Sequence, residues 1–281
     1  MIRIITDSTC EAPAEVLHHP AVTVVPLSVV FGQEALRDGI DITRDQFWTR
    51  LPDSNPLPTT SQAAPSDFLG LYQSFTEAGD EVIVLPISGK LSGTLSSAVI
   101  AYESNPGWAV DVVDSKSVSI GLGLLVQEAV KMIEAGATRT EIVARLLTLR
   151  EKVQIVFVVE TLEYLQKGGR IGKAQAFVGT LLRFKPLLGI ADGEVVPLAR
   201  VRSRAKALQA AQELLLKGTA GRGGEVRMAL THALAPEEAW SLGAKLSKAF
   251  QTADYYVSDL GPVIGVHVGP GTVGAAVVTL D

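Results

Sequence analysis

The chain has 281 residues, 47% of them hydrophobic, with a mean hydropathy of +0.27 and a formal charge of −5. Charges of both signs are interspersed, which excludes the one-signed field that draws a protein to nucleic-acid phosphates or anionic membranes. Cys10 is the only cysteine, so neither a disulfide framework nor a cysteine-rich metal site can be built.

No apolar run is long enough to span a bilayer. The opening MIRIITDST has no basic segment followed by an apolar one, so no signal peptide is read there and a cytoplasmic setting is expected. The length predicts one or two domains.

RIITDS, residues 3–8, reads as a short buried strand ending in turn residues. AVTVVPLSVVFG, residues 21–32, is rich in β formers, and residues 33–41 read as its return. Residues 45–51 suit a short helix. LPDSNPLPTTSQAAPSD, residues 51–67, has no periodicity and reads as a long loop of the kind that often carries function. Phe68, Leu71, Tyr72 and Phe75 recur at helical spacing, as a core face or a pocket wall.

EVIVLPIS, residues 81–88, and AVDVVDS, residues 109–115, are further buried strands. Helices are predicted over 94–102 and 119–135, and Thr138 with Glu141 forms a capping box for another helix. Ile142, Val143, Leu146 and Leu147 give that helix its apolar face. Strands alternating with helices predict a layered α/β domain with a mainly parallel sheet over residues 1–155.

Residues 156–281 change character. VQIVFVV, residues 153–159, is a strand, and TLEYLQKGG a short helix closed by Gly168. PLLGIADGEVVPLARV is a hairpin turning at Asp192-Gly193. A helix over 203–217 and the strand EVRMALTHA follow, then a helix opened by Pro236 with Glu237 and Glu238 in its first turn. DYYVSDL, VIGVHVG and TVGAAVVTL read as three closing strands. Their tight turns predict an α+β domain with a largely antiparallel sheet.

Four stretches carry candidate chemistry. In ISGKLSGTLSSA, residues 87–98, Ser92 and Gly93 stand where a strand gives way to a helix. Free backbone N–H groups there favour an anion, although Ser92 equally suits a capping residue. PTTSQ, residues 58–62, clusters hydroxyls that either donate to a carboxylate or phosphate or are simply solvated. His267 is a lone histidine in an apolar run, either a satisfied core residue or a group at the mouth of a cavity, with Gly269, Pro270 and Gly271 leaving space beside it. In QKGGRIGKAQ, residues 166–175, Arg170 and Lys173 join Arg200, Arg202 and Arg204 as a possible basic face for a partner.

That last stretch is not a nucleotide loop, because Lys167 and Ala174 stand where such a loop needs glycine and a hydroxyl. No dinucleotide fingerprint, zinc motif or nucleophile elbow is present, and basic residues do not interleave with aromatics as nucleic-acid binding requires.

DSTCEAP (7–13), TSQ (60–62), LSGT (91–94), DSKSVSIGLG (114–123), LEYLQKGGRIG (162–172), KPLL (185–188) and HVGPG (267–271) stand in an order that resembles the DegV family over nearly the whole chain. The resemblance implies a two-domain protein holding a long-chain fatty acid between its domains, with the carboxylate near the surface. It also implies a carrier without catalytic residues of its own, in which the fatty acid is the bound ligand and no cofactor or metal is needed. A separate ATP-binding fatty acid kinase subunit would phosphorylate the carboxylate, giving an acyl phosphate for phospholipid synthesis.

Carried over by motif, the carboxylate contacts would be Thr60 or Ser61, Ser92, the Gly93 N–H and His267, with Arg170 and Arg202 as possible partner-docking residues. Lys90 and Leu95-Ser96, and the extra alanine in TSQAAPSD, depart from the family pattern and bear on loop shape and acyl fit. The residues agree with this reading, since hydroxyls, N–H groups and an imidazole suit a carboxylate. Burying an acyl chain contributes about 0.8 kcal/mol per CH₂. The rival readings are an acyl hydrolase using Ser92 and His267, and a lipid-sensing regulator.

Overall fold

Short runs of β-branched residues separated by Gly, Pro and Asp turns, with amphipathic stretches between them, produce strands and helices in close alternation. The computed structural model describes residues 1–178, 184–219, 225–252 and 254–280. The chain runs β1 (Ile2–Asp7), α1 (Ala14–Leu17), β2 (Val22–Val25), β3 (Ser28–Phe31), β4 (Glu34–Arg37) and α2 (Arg44–Arg50). It continues with β5 (Thr59–Ser61), α3 (Pro65–Glu77), β6 (Glu81–Val84), α4 (Thr94–Glu103), β7 (Val110–Val112), α5 (Ser119–Glu134) and α6 (Arg139–Leu149). Then come β8 (Gln154–Val158), α7 (Glu163–Lys167), β9 (Lys185–Ala191), β10 (Glu194–Val201), α8 (Arg204–Thr219) and β11 (Glu225–His232). The last elements are α9 (Pro236–Phe250), β12 (Tyr255–Asp259), α10 (Pro262–Val268) and β13 (Val273–Leu280).

Three sheets result. A four-stranded parallel sheet has the order β2-β1-β6-β7. A six-stranded sheet has the order β10-β9-β8-β13-β11-β12, antiparallel except where β11 meets β12. A small antiparallel sheet, β4-β3-β5, completes the set. The mixed α/β class predicted from sequence is what the chain adopts, with the parallel sheet early and the largely antiparallel sheet late.

α5 joins the two large sheets. It packs on β1 and also on β11 and β13. Eleven of its residues are buried, on every side of the helix, as a helix sandwiched between two sheets requires. Gly123 permits this approach, since a Cβ there would lie 1.9 Å from the Glu11 carbonyl oxygen. α8 and α9 cover the other face of the six-stranded sheet and form a separate apolar cluster with it. Among the described residues no helix is long and apolar enough to cross a membrane.

Several local expectations hold. The Thr138–Glu141 capping box forms. The β9–β10 hairpin turns at Asp192 and Gly193, both with positive φ, as a two-residue hairpin turn demands.

Others need correction. The run VIGVHVG is helix α10, not a strand. Pro262 opens it, its residues are buried on almost every side, and an apolar run without a polar face does not distinguish strand from helix. The chain therefore closes strand–helix–strand, and β12 runs parallel to β11 because α9 is the crossover between those two strands. The loop over 51–67 also contains a strand, β5, which pairs with β3 through Thr60 opposite Val29.

Candidate functional site

A cavity of about 400 Å³ lies at the start of α5, between the connections that follow β6 and β7 and the face of the six-stranded sheet. Its body is apolar. Ile87 and Leu91 from the β6–α4 connection and Ile120 from α5 face Ile155 and Phe157 of β8 and Ile190 of β9. One end is polar, with Thr60 and Ser61 from β5, Ser92, Arg170 and His267 together on its wall. These five come from four separate parts of the chain, and the fold brings them to one place.

His267 sits in the last turn of α10 and is 9% exposed. Burial, reinforced by the positive charge of Arg170, pushes its pKa down to about 4, so the ring is neutral at pH 7. Its Nε2 lies 2.8 Å from Thr60 Oγ1, while Nδ1 has no hydrogen-bond partner among the described residues. A buried N–H without an acceptor costs more than a buried lone pair. The proton therefore belongs on Nε2, which donates to Thr60. The Thr60 hydroxyl hydrogen is then free to donate into the cavity.

Glycine makes the room for this ring, but not the glycines that follow it. A Cβ on Gly168 would stand 2.3 Å from His267 Nδ1. Gly269 and Gly271 have positive φ, and their open sides are filled by Tyr164 and Glu160. The space beside the Gly-Pro-Gly turn is thus occupied by protein.

Arg170 is half-buried and anchored by two backbone carbonyls. Its Nε donates to Leu91 O at 3.1 Å and its Nη1 to Gly168 O at 2.8 Å. It links the β6–α4 connection to the end of α7, and its charge faces the polar end of the cavity. Arg170 is therefore a cavity residue. Ser92 is on the wall as well, but it also shapes its own turn. Its Oγ accepts from the Thr94 N–H at 3.2 Å and lies 2.9 Å from Thr94 Oγ1.

Gly93 is the capping residue of α4 and contributes no cavity wall. Its Cα is covered by Gln62, whose Nε2 donates to Gly93 O at 3.3 Å and to Ser97 Oγ at 3.0 Å. A Cβ on Gly93 would lie 1.9 Å from Gln62 Oε1.

Two buried carboxylates hold this frame. Asp7 accepts from the Ile87 N–H at 2.7 Å, and from the Thr9 N–H and hydroxyl, fixing the start of the connection that carries Ser92. Glu11 accepts from Ser119 at 2.5 Å, Thr231 at 2.8 Å and the Gly261 N–H at 2.9 Å, tying α5, β11 and the start of α10 together. Burial raises the pKa of both, against the opposing pull of these hydrogen bonds. Neither was singled out from sequence. Asp7 and Glu11 both lie in DSTCEAP, but apart from Thr9 their partners stand 80 to 250 residues away.

Most of the residues read as a basic face have partners within the chain. Lys173 pairs with Glu194 at 2.7 Å, Arg200 lies over the Phe177 ring, and Arg204 is held by Glu160 and Glu238. Arg202 is exposed, apart from the cavity, and pairs with no acidic group among the described residues.

The family described as "Uncharacterised protein, DegV family" matches residues 1–280. The chain belongs to the DegV family. Protein DegV of Bacillus subtilis is 35% identical over 274 residues, 97% of each chain. A solved DegV-family protein from Thermus thermophilus, described by its fatty acid binding, superposes with a TM-score of 0.93 at 36% identity over 99% of each chain. A stearic-acid-binding protein from Eubacterium ventriosum superposes with a TM-score of 0.91 at 30% identity, covering 99% of this chain and 98% of its own. Within this DegV-family chain, the cavity and its polar end stand among motifs found in the matched region.

Proposed function

We propose that this chain binds one long-chain fatty acid in the cavity between its two domains, residues 1–155 and 156–281, and is a carrier, not a catalyst. The carboxylate lies at the polar end, where Thr60, Ser61 and Ser92 donate, His267 orients the Thr60 hydroxyl and Arg170 supplies the balancing charge. The acyl chain lies along the apolar walls. One observation carries this reading: a neutral His267 bonded to Thr60, facing Arg170, stands at one end of a cavity whose body is mainly apolar. The matched proteins that bind fatty acids support it.

The chain then presents the carboxylate to an ATP-dependent kinase subunit in the cytoplasm. A carboxylate oxygen attacks the γ-phosphorus of ATP, giving an acyl phosphate and ADP for use in phospholipid synthesis. Exposed Arg202 is the docking contact. Hydrolysis is less well served. Ser92 bonds to Thr94 and His267 to Thr60, so the nucleophile–base contact that hydrolysis needs is not made.

The test uses oleate-loaded protein, ATP and a fatty acid kinase subunit, with the acyl phosphate trapped as its hydroxamate. Product that depends on both proteins supports the carrier reading. Arg202→Glu should cut the rate while leaving oleate affinity unchanged. No product with a kinase subunit active on another carrier contradicts presentation, and full activity of Arg202→Glu contradicts the docking assignment.

A further inference from the structure

The cavity floor crosses four strands of the six-stranded sheet, from Ile190 on β9 through Ile155 and Phe157 on β8 and Gly274 on β13 to Thr231 on β11. At a strand spacing of about 4.8 Å this floor is roughly 14 Å wide. Its two edges differ in chemistry. At the β11 edge, the Thr231 and Ser119 hydroxyls both donate to Glu11, which is 1% exposed. That edge is polar and solidly packed.

At the β9 edge the wall is a single cross-strand pair, Ile155 opposite Ile190. Both side chains also line a second cavity of about 230 Å³. Val153, Ile155, Ile190 and Ala191 form its apolar side, and the charged residues on the rest of its lining are paired with one another. Lys116 Nζ lies 2.9 Å from Glu151 and 3.2 Å from Asp192, and Arg150 Nε lies 3.2 Å from Glu151. Ile155 is seated against bare backbone, since a Cβ on Gly121 would lie 2.4 Å from its Cδ1. Ile190 is only half-buried.

We infer that Ile155 and Ile190 form a gate at the methyl end of the acyl site, and that the second cavity receives the tails of chains too long for the first. This rests on the fatty-acid reading above. Buried hydroxyls and the Glu11 carboxylate fill the β11 edge, so a methyl terminus is driven toward the isoleucine pair. Branched side chains hop between staggered rotamers, so a tail can displace the pair without moving backbone. The paired charges at the rim set the outer limit, because a tail passing them meets water. Gate residues therefore set the upper chain length without touching the carboxylate.

The experiment is a series of saturated fatty acids, from dodecanoic to tetracosanoic acid, titrated into the protein and its variants. Affinity should rise about fourfold per CH₂ until the first cavity is full, then rise less steeply. Ile190→Ala and Ile155→Ala should move that break to longer chains, and Ile190→Trp to shorter ones. The affinity ratio of acid to matching alcohol should stay as in the parent. Ile190 is half-buried, so its variants decide the matter if Ile155→Ala fails to fold. A break at one length in all folded proteins overturns the gate while leaving the fatty-acid site standing. A parent protein that binds none of the acids overturns the fatty-acid reading itself.

Discussion

Replacing Thr60 by Val removes one hydroxyl and keeps the side-chain shape, so no void is created. In the parent, the His267 Nε2–H is directed at Thr60 Oγ1 across 2.8 Å, leaving the threonine hydrogen for the ligand. A hydrogen bond to a charged acceptor contributes about 1.5–3 kcal/mol, and one to a neutral acceptor about 0.5–1.5 kcal/mol. Thr60→Val should therefore weaken oleate binding by about 30-fold and oleyl alcohol binding by about 5-fold. Isothermal titration with both ligands measures the two factors. Thr60 and His267 act through one bond, so Thr60→Val/His267→Ala should lose less than the sum of the single losses. Equal weakening of acid and alcohol, or additive losses, would show that the Thr60 hydroxyl does not hold the carboxylate.

The remaining predictions concern the frame around that bond. His267 should titrate near 4 in the ligand-free protein by NMR, and higher once a carboxylate is bound beside it. Its folded pKa lies below the ordinary 6.5, so the unfolded chain takes up the proton first as pH falls. Ligand-free protein should thus lose up to about 3 kcal/mol from this group between pH 6.5 and 4, and a flat stability over that window would contradict the buried neutral ring. Gly168→Ala puts a methyl 2.3 Å from His267 Nδ1, so the ring must shift. Oleate affinity should fall about tenfold, at a stability cost of about 1–3 kcal/mol. Arg204→Ala removes the cation that ties Glu160, Glu238 and the Gly271 carbonyl together. Thermal unfolding should drop by roughly 3–6 °C, with Arg204→Lys recovering part of it.

Much of this architecture was legible in the sequence where local signals are strong. The strand runs around Ile4 and Val82, the Thr138 cap and the Asp192-Gly193 turn each depend on residues close in the chain. α10 was not legible as a helix because buried apolar residues surround it and hide its period. Thr60, Ser92 and His267 were readable as candidates, and the fold brings all three to the wall of one cavity. Arg170 was readable as important but not as a cavity group. Its anchor at Leu91 lies 79 residues away, and only the folded chain brings the two together. The same holds for Glu11, a charged residue in a loop by sequence and a three-way clamp in the structure.

The most direct measurement is native mass spectrometry of the 29.7 kDa chain as purified, followed by organic extraction and identification of what is released. The account predicts one long-chain fatty acid per chain, with much lower occupancy in Arg170→Gln. A parent protein of bare chain mass that stays bare after incubation with palmitate and oleate would contradict it.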